Sequence, residues 1–202
     1  MNKFLNFPAL ILLSVILVFS ACKKNNPEPV NEEELITTVK MTVAEEGSIL
    51  GAGTTYTWKD LDGDGPEAPV LNPATLKLNP SKTYNVRLEL FNESENPVKD
   101  ITEEIKAEKE DHQFFFQTSG VGYNLFKSYS GVNDANSQPV GLQFVLETKT
   151  VGSGKFKVIL KHKPNKGAVG VSKGDMTNAG GQTDVEAEFD VSVALPIIIT
   201  KE

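Results

Sequence analysis

The stretch Asp60-Leu61-Asp62-Gly63-Asp64-Gly65 sets three carboxylates at alternate positions and closes on a glycine. Ca²⁺ takes six to eight oxygen ligands, and a tight loop of alternating acids supplies several of them. The spacing is that of the first half of an EF-hand-type loop. The second half departs from it: the twelfth position is Leu71 where a bidentate glutamate is needed, Glu67 comes too early, and Pro66 follows the glycine. Two readings stand. Asp60, Asp62 and Asp64 hold a structural calcium that braces the loop, or they form an Asp-Gly turn whose acids stay in water. The chain has two histidines, His112 and His162, too few for a multi-histidine zinc site. His162 falls on the inward phase of an alternating run, and His112 closes a candidate helix. Each reads as a hydrogen-bonded structural group, or, for His112, as a side chain placed favourably at a helix C-terminus. Together they would form a pair only if the fold joins them. Gly170-Val171-Ser172-Lys173-Gly174 matches a nucleophile elbow by letters. Such an elbow needs a strand before, a helix after and its histidine later in the chain, whereas both histidines precede Ser172.

Cys22 is the only cysteine. It follows Lys3, an apolar run from Ala9 to Phe19, and Ser20-Ala21. A membrane-spanning helix needs roughly 20 apolar residues, so this run fits a cleaved leader instead. The pattern resembles the bacterial lipoprotein signal, with Phe19 where leucine is usual. That resemblance implies cleavage before Cys22 and acylation of it, a membrane anchor of about 0.8 kcal/mol per buried CH₂. Lys23 after the cysteine implies, by the same resemblance, sorting to an outer membrane. Acylation leaves no thiol for a disulfide, a zinc site or a cysteine nucleophile.

Residues 1–21 therefore read as signal peptide, 22–33 as lipidated cysteine and flexible tether, and 34–202 as a single domain. The formal charge is −7 and becomes −8 once Lys3 leaves with the signal peptide. An acidic chain whose sole arginine is Arg87 is a poor nucleic-acid binder. Lys149, Lys155, Lys157, Lys161, Lys163, Lys166 and Lys173 run without an intervening acid. They read either as a basic face for anionic glycan or lipid, or as the wet side of a hairpin that discourages edge pairing.

The elements that must position these groups alternate with period two. Leu35 to Val43, Thr54 to Lys59, Tyr84 to Leu90, Val140 to Leu146, Phe156 to His162 and Val185 to Val193 each place one face in a core and one in water. Thr75–Leu78, Gln113–Thr118 and Tyr123–Ser130 are shorter candidates, and Val151-Gly152-Ser153-Gly154 reads as a turn between two runs. Asp100-Ile101-Thr102-Glu103 reads as a helix N-cap opening a charged helix over Glu103–His112, with Ile101 and Ile105 able to dock it on a sheet. About nine strands and one short helix predict an all-β, antiparallel, immunoglobulin-like β-sandwich, with a closed barrel as the alternative. Trp58 suits its core. Phe91, Phe115 and Phe126 lie on the phase opposite the main apolar positions, and would mark a binding patch if exposed together.

Several stretches resemble a family of small envelope lipoproteins of Bacteroidota-type bacteria: Asn31-Glu32-Glu33-Glu34-Leu35-Ile36-Thr37-Thr38-Val39, Asp60 to Gly65, Ile101-Thr102-Glu103-Glu104-Ile105, Asp111-His112-Gln113-Phe114-Phe115-Phe116, His162-Lys163-Pro164-Asn165-Lys166 and Asn178 to Val185. The resemblance covers nearly all of the mature chain. It implies no activity and only one functional residue, Cys22. Similar sequences have been given names such as type 1 periplasmic binding fold protein or GTP cyclohydrolase. The first needs two α/β lobes and the second a Cys/His metal centre, and these residues supply neither. The expectation is a lipid-anchored envelope protein with a non-catalytic binding or structural role. A ligand-binding module for a glycan or small solute is the alternative, and a hydrolase ranks last. Partners are the membrane, through Cys22, and an envelope protein or glycan.

Overall fold

The computed structural model describes residues 35–63 and 65–196. Two sheets enclose one main core. The larger follows the order β3-β2-β1-β5-β9-β8, with β6 also on β5. Its strands are β1 (Thr38–Glu45), β2 (Thr54–Lys59), β3 (Val70–Asn72), β5 (Thr83–Asn92), β6 (Lys99–Asp100), β8 (Phe126–Ser130) and β9 (Gln143–Glu147). The smaller is β4-β11-β10-β7, made of β4 (Thr75–Leu78), β7 (His112–Ser119), β10 (Gly152–His162) and β11 (Gln182–Val193). Pairing is antiparallel except between β4 and β11. The all-β sandwich with one short helix is as expected. The strands number eleven among the described residues, because the short β3 and β6 carry too few residues to show a period.

Alternation explains the layers. Val39, Met41, Val43, Val86, Leu88, Leu90 and Phe144 face Phe114, Phe156, Val158, Leu160, Ala187 and Phe189, all buried in one cluster. Phe116 of the small sheet meets Phe144 of the large one with ring centroids 3.9 Å apart. Trp58 is buried in this core, as expected. Leu35, expected on the inward face of the first strand, precedes β1 and is exposed.

The helix is shorter and earlier than predicted. α1 spans Ile101–Ala107, and the Asp100 side chain caps it by accepting from the Thr102 amide at 2.9 Å. Ile101 and Ile105 are buried as anticipated. Thr102 is buried as well: its hydroxyl accepts from the Leu90 amide at 2.8 Å and donates to the Leu90 carbonyl at 3.2 Å. One helical side chain thus stands in for a strand neighbour of β5.

Two further expectations are corrected. The segment around Val151–Gly154 is no hairpin turn: β9 and β10 lie in different sheets, and Gly152–Gly154 already belong to β10. The small residue at Gly154 is needed there, because a Cβ would stand 1.9 Å from the Ser119 carbonyl oxygen. The lysines of β10 lie on its wet side but guard no edge, and two of the three are paired with acids. β10 sits between β11 and β7, Lys155 pairs with Asp190 at 2.7 Å and Glu188 at 3.3 Å, and Lys157 pairs with Glu186 at 2.9 Å. No helix among the described residues is long and apolar enough to cross a membrane.

Candidate functional site

The fold joins the two histidines. His112 opens β7 instead of closing the helix, and His162 ends β10 directly opposite it in the ladder. Both side chains continue the inward phase of their strands, set by Phe114 on one and Leu160 on the other. Their rings stack at a centroid distance of 4.8 Å and an interplanar angle of 11°.

A register break brings a third group. Leu160 pairs with Val185, but Lys161 pairs with Thr183, so Asp184 is the extra residue of a β-bulge in β11. A bulge places two consecutive side chains on nearly the same side of the strand and bends it locally. Asp184 thereby joins the inward phase of Val185. Its Oδ2 lies 3.8 Å from His112 Nε2, and neither side chain is exposed. His162 is 6% exposed. One donor atom from each of His112, His162 and Asp184 falls within 4.8 Å of the others.

The orientation of His112 is fixed by the helix. Its Nδ1 is 3.1 Å from the carbonyl oxygen of Glu108, the C-cap residue of α1. A carbonyl only accepts, so Nδ1 carries the hydrogen and Nε2 is the atom turned toward Asp184. The sequence-based placement of His112 at a helix C-terminus therefore holds for its ring, though not for its backbone.

A long loop, residues 163–181, folds over the outer face of the small sheet behind this cluster. Val171 and Ala179 of the loop pack with Phe115 and Ile159 of the sheet in a second small core. The Gln113 side chain donates to the Val171 carbonyl at 2.8 Å and to the Tyr129 hydroxyl at 3.2 Å, and Tyr129 donates to the Phe114 carbonyl at 2.6 Å. Burial pushes the Tyr129 phenol well above its ordinary range, with the Gln113 hydrogen bond opposing. At the start of the loop Lys166 is enclosed. Its ammonium donates to the Lys109 carbonyl and to Asp134 Oδ2 at 3.2 Å. Burial holds that ammonium below the ordinary lysine range, and the Asp134 contact offsets only part of the effect. Burial tends to raise the Asp134 carboxyl, but hydrogen bonds from the Gln138 amide, Lys166 and the Asn136 amide win and leave it lowered.

The remaining candidates are placed as follows. Cys22 and Asp64 lie outside the described residues. Asp60, half-buried, and Asp62, exposed, sit in the turn after β2, where Asp62 Oδ2 accepts from the Glu67 amide at 3.1 Å and the Gly65 amide donates to the Asp62 carbonyl at 3.0 Å. Desolvation raises the Asp60 carboxyl, helped by the neighbouring Asp62 and opposed by the Gly63 amide. Ser172 is exposed on a single 3₁₀ turn between Gly170 and Gly174, both with positive φ, so no elbow forms. Phe91, Phe115 and Phe126 share no patch: Phe115 is buried under the 163–181 loop, Phe126 stacks on Phe116 at 4.9 Å, and Phe91 lies beneath the Lys40 ammonium at 4.5 Å.

Asp184 and Asp134 were not expected from the sequence, and Lys166 was read only as one of a run of lysines. Asp184 follows the polar phase of its strand until the bulge re-aims it, and only the register reveals that. Asn133-Asp134-Ala135-Asn136 carries a turn signal, but nothing in it names Lys166 as the partner. No protein-family model matches the chain, and neither curated proteins nor solved structures give a match.

Proposed function

We propose that the chain is a lipid-anchored β-sandwich of the bacterial cell envelope, held through acylated Cys22 on an outer membrane, with a binding or structural and non-catalytic role. The observation that favours this reading is the enclosure of its reactive groups. His112 and Asp184 have no exposed side-chain surface and His162 almost none. General acid–base chemistry needs a side chain within hydrogen-bond reach of a substrate proton. Burial of these three side chains favours a supporting over a reacting role for them.

A second reading, a binding module for a glycan, draws on a cleft of about 460 Å³ whose lining includes Gln117, Thr118, Asn124, Lys155, Lys157 and Glu188. Hydroxyl, amide, carboxylate and ammonium groups in one cleft suit the hydroxyls of a sugar. One experiment addresses anchor and partner together. Cells are grown with a labelled fatty acid, and the lipidated protein is recovered from its envelope with whatever glycan or protein it retains. Label in the wild type and none in Cys22→Ala is expected, and label that persists in Cys22→Ala refutes the anchor. Retained glycan lost on Lys157→Ala selects the second reading. A hydrolytic activity abolished by His162→Asn overturns the non-catalytic role.

A further inference from the structure

We propose that His112, His162 and Asp184 form a buried site for one divalent transition-metal ion of the zinc class, which clamps the end of the small sheet where β7, β10 and β11 meet. This goes beyond the envelope role and stands whether or not Cys22 is acylated.

Three observations converge on it. The donor set is two imidazoles and one carboxylate, the nitrogen-and-oxygen combination that Zn²⁺ and its first-row neighbours take. The donor atoms already lie within 4.8 Å of one another. Around an ion with bonds of about 2.0–2.2 Å, tetrahedral ligand atoms stand roughly 3.4 Å apart, so the widest pair closes by roughly 1–1.5 Å. His112 carries the outer support that metal-bound histidines use: Nδ1–H donates to the Glu108 carbonyl, which presents Nε2 toward Asp184.

A divalent ion held by all three would also neutralise the enclosed Asp184 carboxylate. The bulge then has a purpose, because without it Asp184 would point away from the histidines. Three protein ligands leave one tetrahedral position for a water, the ligand count of catalytic zinc sites; what makes this centre a brace for three strands is that its ligand side chains are enclosed. The ion is captured as the sheet closes, so metal binding and folding are coupled.

The full chain in detergent is unfolded in guanidinium with a chelator and refolded with Zn²⁺, with Co²⁺, or without metal. One equivalent of Zn²⁺ should survive desalting, Co²⁺ should give the visible absorption of a four-coordinate centre, and Zn²⁺ at a hundredfold excess over Kd should raise Tm by about 5–10 °C. His162→Gln and Asp184→Asn should each lose the ion, while Asp62→Ala keeps it. If either variant fails to refold, the histidine ring NMR signals of the wild type decide: both sets must shift on adding Zn²⁺. Absence of retained metal, retention unchanged in a folded His162→Gln, or ring signals unmoved by Zn²⁺ each overturns the proposal.

Discussion

Replacing Asp134 with asparagine should destabilise the protein far more than removing its partner Lys166. The two carboxylate oxygens of Asp134 have separate duties. Oδ1 accepts from the Asn136 amide at 2.9 Å and the Gln138 amide at 2.8 Å, while Oδ2 meets the Lys166 ammonium at 3.2 Å. In Asp134→Asn the new side chain would keep the first set and turn an amide N–H₂ toward the ammonium. The side chains of Asp134 and Lys166 are 3% and 6% exposed, so the stranded charge has little water to turn to. At 3.2 Å the gross attraction is roughly 5 kcal/mol at an effective dielectric constant near 20. Breaking such a buried pair from one side costs about 3–5 kcal/mol. For a chain of this size each kcal/mol moves Tm by about 2–4 °C, so Asp134→Asn should lower it by roughly 6–20 °C. Lys166→Met keeps an apolar stem and leaves Asp134 bound to two amides, so it should cost less, about 1–2 kcal/mol. The double variant should be more stable than Asp134→Asn alone. Guanidinium denaturation with a shared m-value measures all four chains. An Asp134→Asn cost below about 1 kcal/mol, or a larger cost for Lys166→Met, would refute the reasoning.

Acid should weaken the fold in a defined window. Glu93 is lowered chiefly by its hydrogen bond from Lys59, against burial and with help from Thr38, and Asp134 is lowered as described. For groups lowered in the folded state the stabilisation is complete above their ordinary values, 4.5 and 3.8. It fades as pH falls through the lower folded values. Tm should therefore hold down to about pH 5 and decline below about pH 4, with a shallower decline in Asp134→Asn. Thr102→Val strands the buried Leu90 amide and should cost about 1–3 kcal/mol by urea titration, against near-neutrality for Thr102→Ser. Gly154→Ala drives a methyl into the Ser119 carbonyl, so the β7–β10 ladder must part. Hydrogen exchange should show faster opening of the Phe115 and Gln117 amides, which face β10, and unchanged protection would count against the packing described. Calcium at the Asp60–Asp62 turn predicts a Tm that rises with Ca²⁺ and falls with a calcium-selective chelator. A melt indifferent to both leaves these acids as turn residues.

The sandwich was legible because burial on one face writes a period of two into the sequence. Tyr84 to Leu90 and Val185 to Val193 carry it openly, and both form strands as read. Which sheet each strand joins was not legible. Gly152-Ser153-Gly154 has the composition of a turn, yet its glycines serve close approach of β10 to the carbonyl of Ser119. His112 reads as a helix end because charged residues extend the helical composition past Ala107 to Asp111. The pairing of His112 with His162 needs a ladder between residues 50 apart, and no local pattern encodes one. Asp184 is harder still, since its direction depends on one unmatched residue in the register between β10 and β11.

The parallel pairing of β4 with β11 carries a kinetic consequence. Thr75–Leu78 align with Asp190–Val193, the last strand of the described chain. β11 is not an edge: it lies between β4 and β10. A chain that emerges from a ribosome or a membrane pore N-terminus first can assemble β1, β2 and β5 early. The smaller sheet has no interior strand until β11 arrives, after every other described strand. Non-local pairing of this kind is slow to form. A chain cut short before Gln182 therefore loses the centre of a layer, leaves unpaired the edges of β4 and β10 that β11 joins, and is a substrate for proteolysis rather than a smaller version of the same fold.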